Sequence, residues 1–201
     1  MLSSCNWAKI VNRNLAYNIF MKRLIIFGLA AYSISIGSFI LILLIGFPIR
    51  YQGEILAASR EFEIDSSLIA SVIRAESGFQ SDAISSKGAE GLMQVLPTTA
   101  AYINNKMSLG ISEINLSDPQ TNIRIGTAYL RYLMDRFGDI QTVLIAYNAG
   151  EGRVRGWLEE SSETKDGRAV LRTSPYRATN AYVQRVLSGI SMYRFRLKRI
   201  A

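Results

Sequence analysis

Histidine is absent from this 201-residue chain, and cysteine occurs once, as Cys5. A lone thiol excludes any intramolecular disulfide, so compartment cannot be argued from bridges. The same absences exclude a Ser-His-Asp or Cys-His catalytic site, and any zinc site that needs histidine or several cysteines. Neither a metal nor a cofactor is expected. Whatever chemistry the chain performs must use carboxylates, hydroxyls, amides and the Lys and Arg cations. Acidic residues are missing from the whole of 1–50, which holds Lys9, Arg13, Lys22, Arg23 and Arg50. Those five of the 23 basic residues leave 18 against 16 acids, a net +2, for 51–201, although the whole chain carries +7. The basic balance therefore belongs largely to the N-terminal part, and a nucleic-acid partner is not expected on charge. No internal repeat and no low-complexity tract is present.

What is present begins with Leu24 to Phe47, LIIFGLAAYSISIGSFILILLIGF, an uncharged run long enough to cross a hydrocarbon core as a helix of about 20 or more residues. A cleaved signal peptide has a shorter apolar region and a small-x-small cleavage site; Ala57-Ala58-Ser59 keeps that alternative open. Basic residues before the run favour an N-terminus held inside and a domain outside. The expected organisation is a basic segment over 1–23, a transmembrane signal-anchor helix over 24–49 and one compact domain over 51–201. Met21-Lys22-Arg23 would itself make a basic start for an exported protein. Leu2-Ser3-Ser4-Cys5 resembles a lipoprotein cleavage box, but no hydrophobic region precedes it.

Helix signals dominate 51–201. Asp65 can cap a helix carrying Leu68, Ile69, Val72 and Ile73. Asp118-Pro119 places a cap and an N1 proline before a mostly apolar stripe that includes Ile123, Ile125, Tyr129 and Leu133. Gly138 can end that helix and Asp139 cap the next, IQTVLIAYNAG. A last helix is expected from roughly Thr179 to Arg196. Long loops are expected over 78–96 and 159–175, and no strand run of convincing length occurs. The fold class is mainly α.

Glu76 stands out against this background. On the helix beginning near Ser66, positions 69, 72, 73 and 76 share one face, so the carboxylate extends an apolar stripe. Burial and the negative end of the helix dipole, which Gly78 marks, would both raise its pKa. A carboxylic acid protonated near neutral pH suits general acid catalysis of glycosidic cleavage. The plainer alternative is a rim glutamate paired with Arg74 or Lys87. The loop that follows offers Gly88 and Gly91 for close backbone approach, and Gln94 as an uncharged donor and acceptor for sugar groups.

Glu76-Ser77, Ser85, GAEGLMQ at 88–94 with Pro97-Thr98, and AYNAG at 146–150 together resemble the family 1, soluble-lytic-transglycosylase-type lytic transglycosylases of the lysozyme-like superfamily. The similarity runs from about Asp65 to Val186. It implies a mainly α, lysozyme-like catalytic domain, here preceded by one transmembrane helix. It also implies cleavage of the MurNAc-β-1,4-GlcNAc bond of peptidoglycan without water, leaving a 1,6-anhydromuramyl end. Carried onto this chain, the resemblance makes Glu76 the sole catalytic carboxylate, acid first and then base. It places Ser85, Gln94, Tyr147, Asn148 and Tyr182 at substrate-binding positions. Tyr147 and Tyr182 can equally be packing aromatics. The implied partner is the peptidoglycan glycan strand. Together with the apolar N-terminal run and its basic flank, the expected location is the bacterial cytoplasmic membrane, crossed once, with the domain on the outer side. A two-carboxylate hydrolase would need a second acid, and Asp82 and Glu90 in the following loop read as solvated charges.

One motif departs from the family. Members often carry Pro-x-x-Glu-Thr-Arg where this chain has Pro175-Tyr176-Arg177-Ala178-Thr179-Asn180, so the usual glutamate is Ala178 and the usual arginine Asn180. A glycan-binding scaffold without turnover, and a lysozyme-like hydrolase, are the alternatives to a transglycosylase. From Arg168 to Ala201 there are eight basic residues and no acid; this is either a solvated helix face or a contact with anionic wall polymer or headgroups.

Overall fold

A computed structural model of the chain describes residues 3–160 and 163–197, and two compact units are distinguished, Met1–Pro48 and Ile49–Ala201. Met1 and the end of the basic run, 198–201, lie outside the described residues. The first unit is one helix, α1 (Ser3–Gly46). Within it Ile19–Leu41, 23 residues long, is long and apolar enough to cross a membrane, a span of about 34 Å at the helical rise. That window starts earlier than the uncharged run because Ile19, Phe20 and Met21 extend the apolar surface past Lys22 and Arg23, whose long stems suit a membrane boundary. Its described large side chains are exposed, Phe27 at 73% and Ile34 at 69%.

The second unit is mainly helical. Its helices are α2 (Gln52–Phe62), α3 (Ser66–Glu76), α4 (Pro97–Lys106), α5 (Pro119–Phe137), α6 (Ile140–Ala149), α7 (Glu151–Glu159) and α8 (Arg177–Leu197). The three expected aspartate caps form: Asp65 accepts from the Ser67 amide at 2.8 Å, Asp118 from Thr121 at 2.8 Å and Asp139 from Thr142 at 3.1 Å. Each satisfies an amide that the first helical turn leaves unpaired. Burial by itself would raise Asp65 and Asp139, but these hydrogen bonds and the nearby Arg194 and Arg172 outweigh it and hold both acids low. Gly138 ends α5 in the left-handed region at φ 73°.

Between α7 and α8, where only loop was expected, β1 (Thr164–Lys165) pairs antiparallel with β2 (Arg168–Ala169). Asp166 and Gly167, at φ 53° and 76°, turn this minimal hairpin. Two successive positive φ values match the type I′ turn that Asp-Gly favours.

The core is organised around α3. Ser67 through Ile73 are all buried, rather than one stripe of the helix alone. α3 packs most extensively against α8. Three contacts fix their antiparallel register: Asp65 with Arg194 at 2.8 Å, Ser71 Oγ donating to the Val186 carbonyl at 2.6 Å, and Glu76 beside Tyr182. The close approach depends on Gly189, where a Cβ would stand 2.3 Å from Ser71 Oγ. Packing α8 this tightly on α3 carries Tyr182 to the Glu76 end of the helix.

Candidate active site

Glu76 is the last residue of α3 and is half-buried. Burial is the main cause of a pKa raised from 4.5 to about 7, while Tyr182 and the positive charge of Arg185 pull against it. No other carboxylate is among the groups that shift it. α3 ends by handing its last amides back, Ser77 to Ile73 at 3.0 Å and Gly78 to Arg74 at 3.2 Å, with Gly78 at φ 60°.

The loop after α3 returns to this end of the helix through contacts that cannot be seen locally in the sequence. Ser77 Oγ donates to the Leu92 carbonyl at 2.8 Å, tying the residue beside Glu76 to the GLMQ segment. Fully buried Asn122, on α5, accepts from the Met93 amide at 2.8 Å and donates to the carbonyls of Glu90 and Leu116, both at 2.9 Å. Gly91 is needed for that latch. Its φ is +73°, and a Cβ would lie 2.2 Å from both Asn122 Nδ2 and the Leu116 oxygen. Bridges between Ile84 and Glu90 and between Glu90 and Val95 complete a compact tongue.

Tyr147 donates to the Met93 carbonyl at 2.9 Å. Burial, and next the Glu76 charge, push its phenol well above the ordinary value. Tyr182 is buried at 2% exposure and its hydroxyl has no hydrogen-bond partner of good geometry. It stands close enough to Glu76 that burial and the Glu76 charge together raise it strongly. The two side chains therefore face each other closely, and each shifts the other.

Gln94 holds a left-handed backbone at φ 48°, and its amide nitrogen donates to the Ala83 and Gly91 carbonyls, both at 3.0 Å. Asn148 is exposed and accepts from Thr179 Oγ1 at 2.9 Å. Two adjoining cavities form a groove here. One, of about 180 Å³, is lined by Gln94, Tyr129, Tyr147 and Asn148, and another, of about 300 Å³, by Tyr176, Ala178 and Thr179; Lys87, Asn148, Ala149 and Arg153 line both. Ser85 accepts from the Ala89 amide at 2.9 Å, bracing the turn, and does not line either cavity. A larger cavity of about 520 Å³ lies between α2 and α5 and contains none of the expected residues. Its charged groups Glu61 and Arg124 pair with each other at 2.8 Å.

The structure therefore brings Glu76, Tyr147 and Tyr182 together, and puts Gln94 and Asn148 on the adjoining groove. Sequence reasoning did not single out Asn122, Arg185 or Arg153, and it quoted Ser77 only as part of the Glu76-Ser77 motif, without its contact to Leu92. Arg185 had a usable signal, one helical turn beyond Tyr182, whereas Asn122 looked like one more position flanking an apolar stripe.

The model of the transglycosylase SLT domain family matches residues 54–170, more than half of the chain. The chain belongs to that family. Among its relatives, the soluble lytic murein transglycosylase of Escherichia coli K12 is 38% identical over 152 residues, covering 74% of this chain and 24% of the relative. The transglycosylase of Enterobacteria phage PRD1 is 43% identical over 102 residues, 51% of this chain and 36% of the relative. The 70-kDa soluble lytic transglycosylase of Escherichia coli superposes with a TM-score of 0.70 at 36% identity, over 77% of this chain and 26% of that one. An inactive glutamate-to-glutamine mutant of lytic transglycosylase Slt from Pseudomonas aeruginosa gives 0.68 at 36% identity, over 78% of this chain and 26% of that one. The chain thus spans about a quarter of the length of the transglycosylases it matches.

Proposed function

We propose that the chain is a peptidoglycan lytic transglycosylase in which Glu76 is the single catalytic acid and base. The observation that carries this is the half-buried carboxyl at the end of α3, its pKa about 7, with no second carboxylate among the described residues acting on it, beside Tyr147, which lines the groove and feels the Glu76 charge. Protonated, Glu76 donates its proton to the glycosidic oxygen as the bond from the muramyl C1 to that oxygen breaks. The resulting carboxylate then takes the proton from the muramyl C6 hydroxyl as O6 closes on C1. No water is consumed, and Glu76 ends as it began. A pKa near neutrality serves both halves of this cycle.

Tyr182 and Tyr147 set the environment of the carboxyl, one buried beside it and one anchored on the Met93 carbonyl. Because the Gln94 amide nitrogen is committed to the loop, its side-chain oxygen is what it offers to a sugar. Asn148 contributes its amide nitrogen, its oxygen being held by Thr179. Ser85 acts by shaping the turn that precedes GLMQ. We further propose that α1 is an uncleaved anchor holding the domain outside the cytoplasmic membrane, which is where the glycan is found.

The test is to incubate the full chain, solubilised in detergent, with purified peptidoglycan and identify the new ends by mass spectrometry. Anhydromuramyl ends are expected. Reducing ends would mean a lysozyme-like hydrolase, and intact strands with retained binding would mean a scaffold.

A further inference from the structure

The groove carries two cations that meet no carboxylate. Lys87, on the loop after α3, and Arg153, on α7, line both cavities, and both are exposed. Among the described residues neither forms an ion pair, and the acid nearest in sequence to Arg153, Glu151, is engaged with Arg136 at 2.8 Å and Tyr132 at 3.1 Å. Arg153 is nevertheless held in place. Its Nη1 donates to the Ala149 carbonyl at 2.9 Å, and its guanidinium carbon lies 5.8 Å from the centre of the Tyr176 ring. Tyr176 is in turn braced edge-on against Trp157 at 5.6 Å. A guanidinium has several N–H donors, and the Ala149 bond occupies one of them.

The remaining wall of the groove is neutral. Ala178 lines it beside Thr179, whose hydroxyl already donates to Asn148. Asn180 offers no charge either. Its side chain clamps Ser174, accepting from the amide at 2.7 Å and donating to the carbonyl at 2.9 Å, and so fixes the turn that presents Tyr176. Neutral sugar hydroxyls need amides and aromatic faces. They do not need two unopposed cations, one of them pre-positioned.

We propose that this end of the groove, lined by Lys87, Arg153, Tyr176 and Ala178, is a specificity-determining subsite for a carboxylate carried by the glycan. Arg153 supplies charge-assisted, planar recognition and Lys87 a mobile point charge. The small neutral side chain at 178 leaves that charge uncompensated. Two parts of peptidoglycan present such a carboxylate: the peptide stem, or the lactyl group once the stem has been removed. The proposal rests on the reading of the site as glycan-cleaving.

Binding is measured on the full-length Glu76→Gln protein in detergent, so turnover does not intervene. The probes are glycan strands with stems, strands stripped of stems to free the lactyl carboxylates, and neutral N-acetylglucosamine oligomers. Two further variants are built on that background, Ala178→Glu and the pair Lys87→Gln with Arg153→Gln, all at exposed positions. Both should weaken binding to a carboxylate-bearing glycan by about 10-fold, and leave the neutral oligomers unaffected. Raised salt should erase the difference. Loss confined to stem-bearing strands assigns the stem carboxylates, and loss confined to stripped strands assigns the lactyl group. Equal loss on the neutral oligomers, or no loss on either anionic glycan, overturns the proposal. Absence of anhydromuramyl products from the unmutated chain would instead overturn the functional reading beneath it.

Discussion

Glu76 is held at a helix end with its carboxyl half out of water, and that setting governs both protonation and stability. Its folded pKa of about 7 lies above the ordinary 4.5, so the folded state binds the proton more tightly than the unfolded chain does. Below about pH 4.5 the carboxyl is neutral in both states and costs nothing. Between 4.5 and 7 stability falls as pH rises, and above 7 the full cost of burying the anion is present. Glu76→Gln removes that cost, so at pH 8 the variant should be more stable by on the order of 2 kcal/mol after solvent screening, and about equal at pH 4. Thermal unfolding at the two pH values checks this. For the same reason kcat/KM of the unmutated chain should fall as pH rises through about 7. The apolar phase of 69, 72, 73 and 76 drew attention to this residue, although by itself it left a rim glutamate the plainer reading, and the motifs around it carried the assignment. Its supports were less accessible: Ser77, quoted only as a motif neighbour, and Asn122 act on backbone groups 15 and 29 residues away, and nothing local announces those contacts.

At the scale of elements, the site depends on how closely α8 lies on α3. Gly189→Ala would drive a Cβ to within 2.3 Å of Ser71 Oγ. Overpacking of this kind costs about 1–3 kcal/mol. The displacement should also move Tyr182 from Glu76, lowering kcat as well as Tm. Adding Ser71→Ala removes the atom that collides, so the double variant should recover most of both losses; a double-variant cycle in stability and kcat measures it. The aspartate caps and Gly138 were legible because they act within one helical turn. The β1–β2 hairpin was not recognised, since its strands are too short to show alternation and only Asp166-Gly167 announced it. The tight α3–α8 contact was also hidden, because a buried Ser71 facing a helical Gly189 is a pairing across more than a hundred residues.

On the scale of the whole chain, charge and hydropathy divide the molecule into an N-terminal helix and a nearly charge-balanced domain, and both features were visible in sequence. Ile19–Leu41 is long and apolar enough to cross a membrane, as an anchor or as a signal sequence would be. With the N-terminus inside, Cys5, the chain's one thiol, should react with a membrane-impermeant maleimide only after cells expressing the protein are permeabilised. A cysteine placed at exposed Gly152 should react in spheroplasts that remain sealed. The reverse labelling pattern would contradict the proposed orientation. The groove beyond Asn148 belongs to this scale as well, since Lys87, Arg153 and Tyr176 come from three separate segments.

The most direct test of the central claim is product formation from peptidoglycan by the full chain and by Glu76→Gln, assayed side by side with thermal unfolding as a control for folding. The unmutated chain should release anhydromuramyl ends. The variant should be folded and slower by about 10²–10⁴-fold, the range expected for removing a general acid–base group. Undiminished cleavage by folded Glu76→Gln would contradict the assignment of Glu76 as the catalytic acid and base.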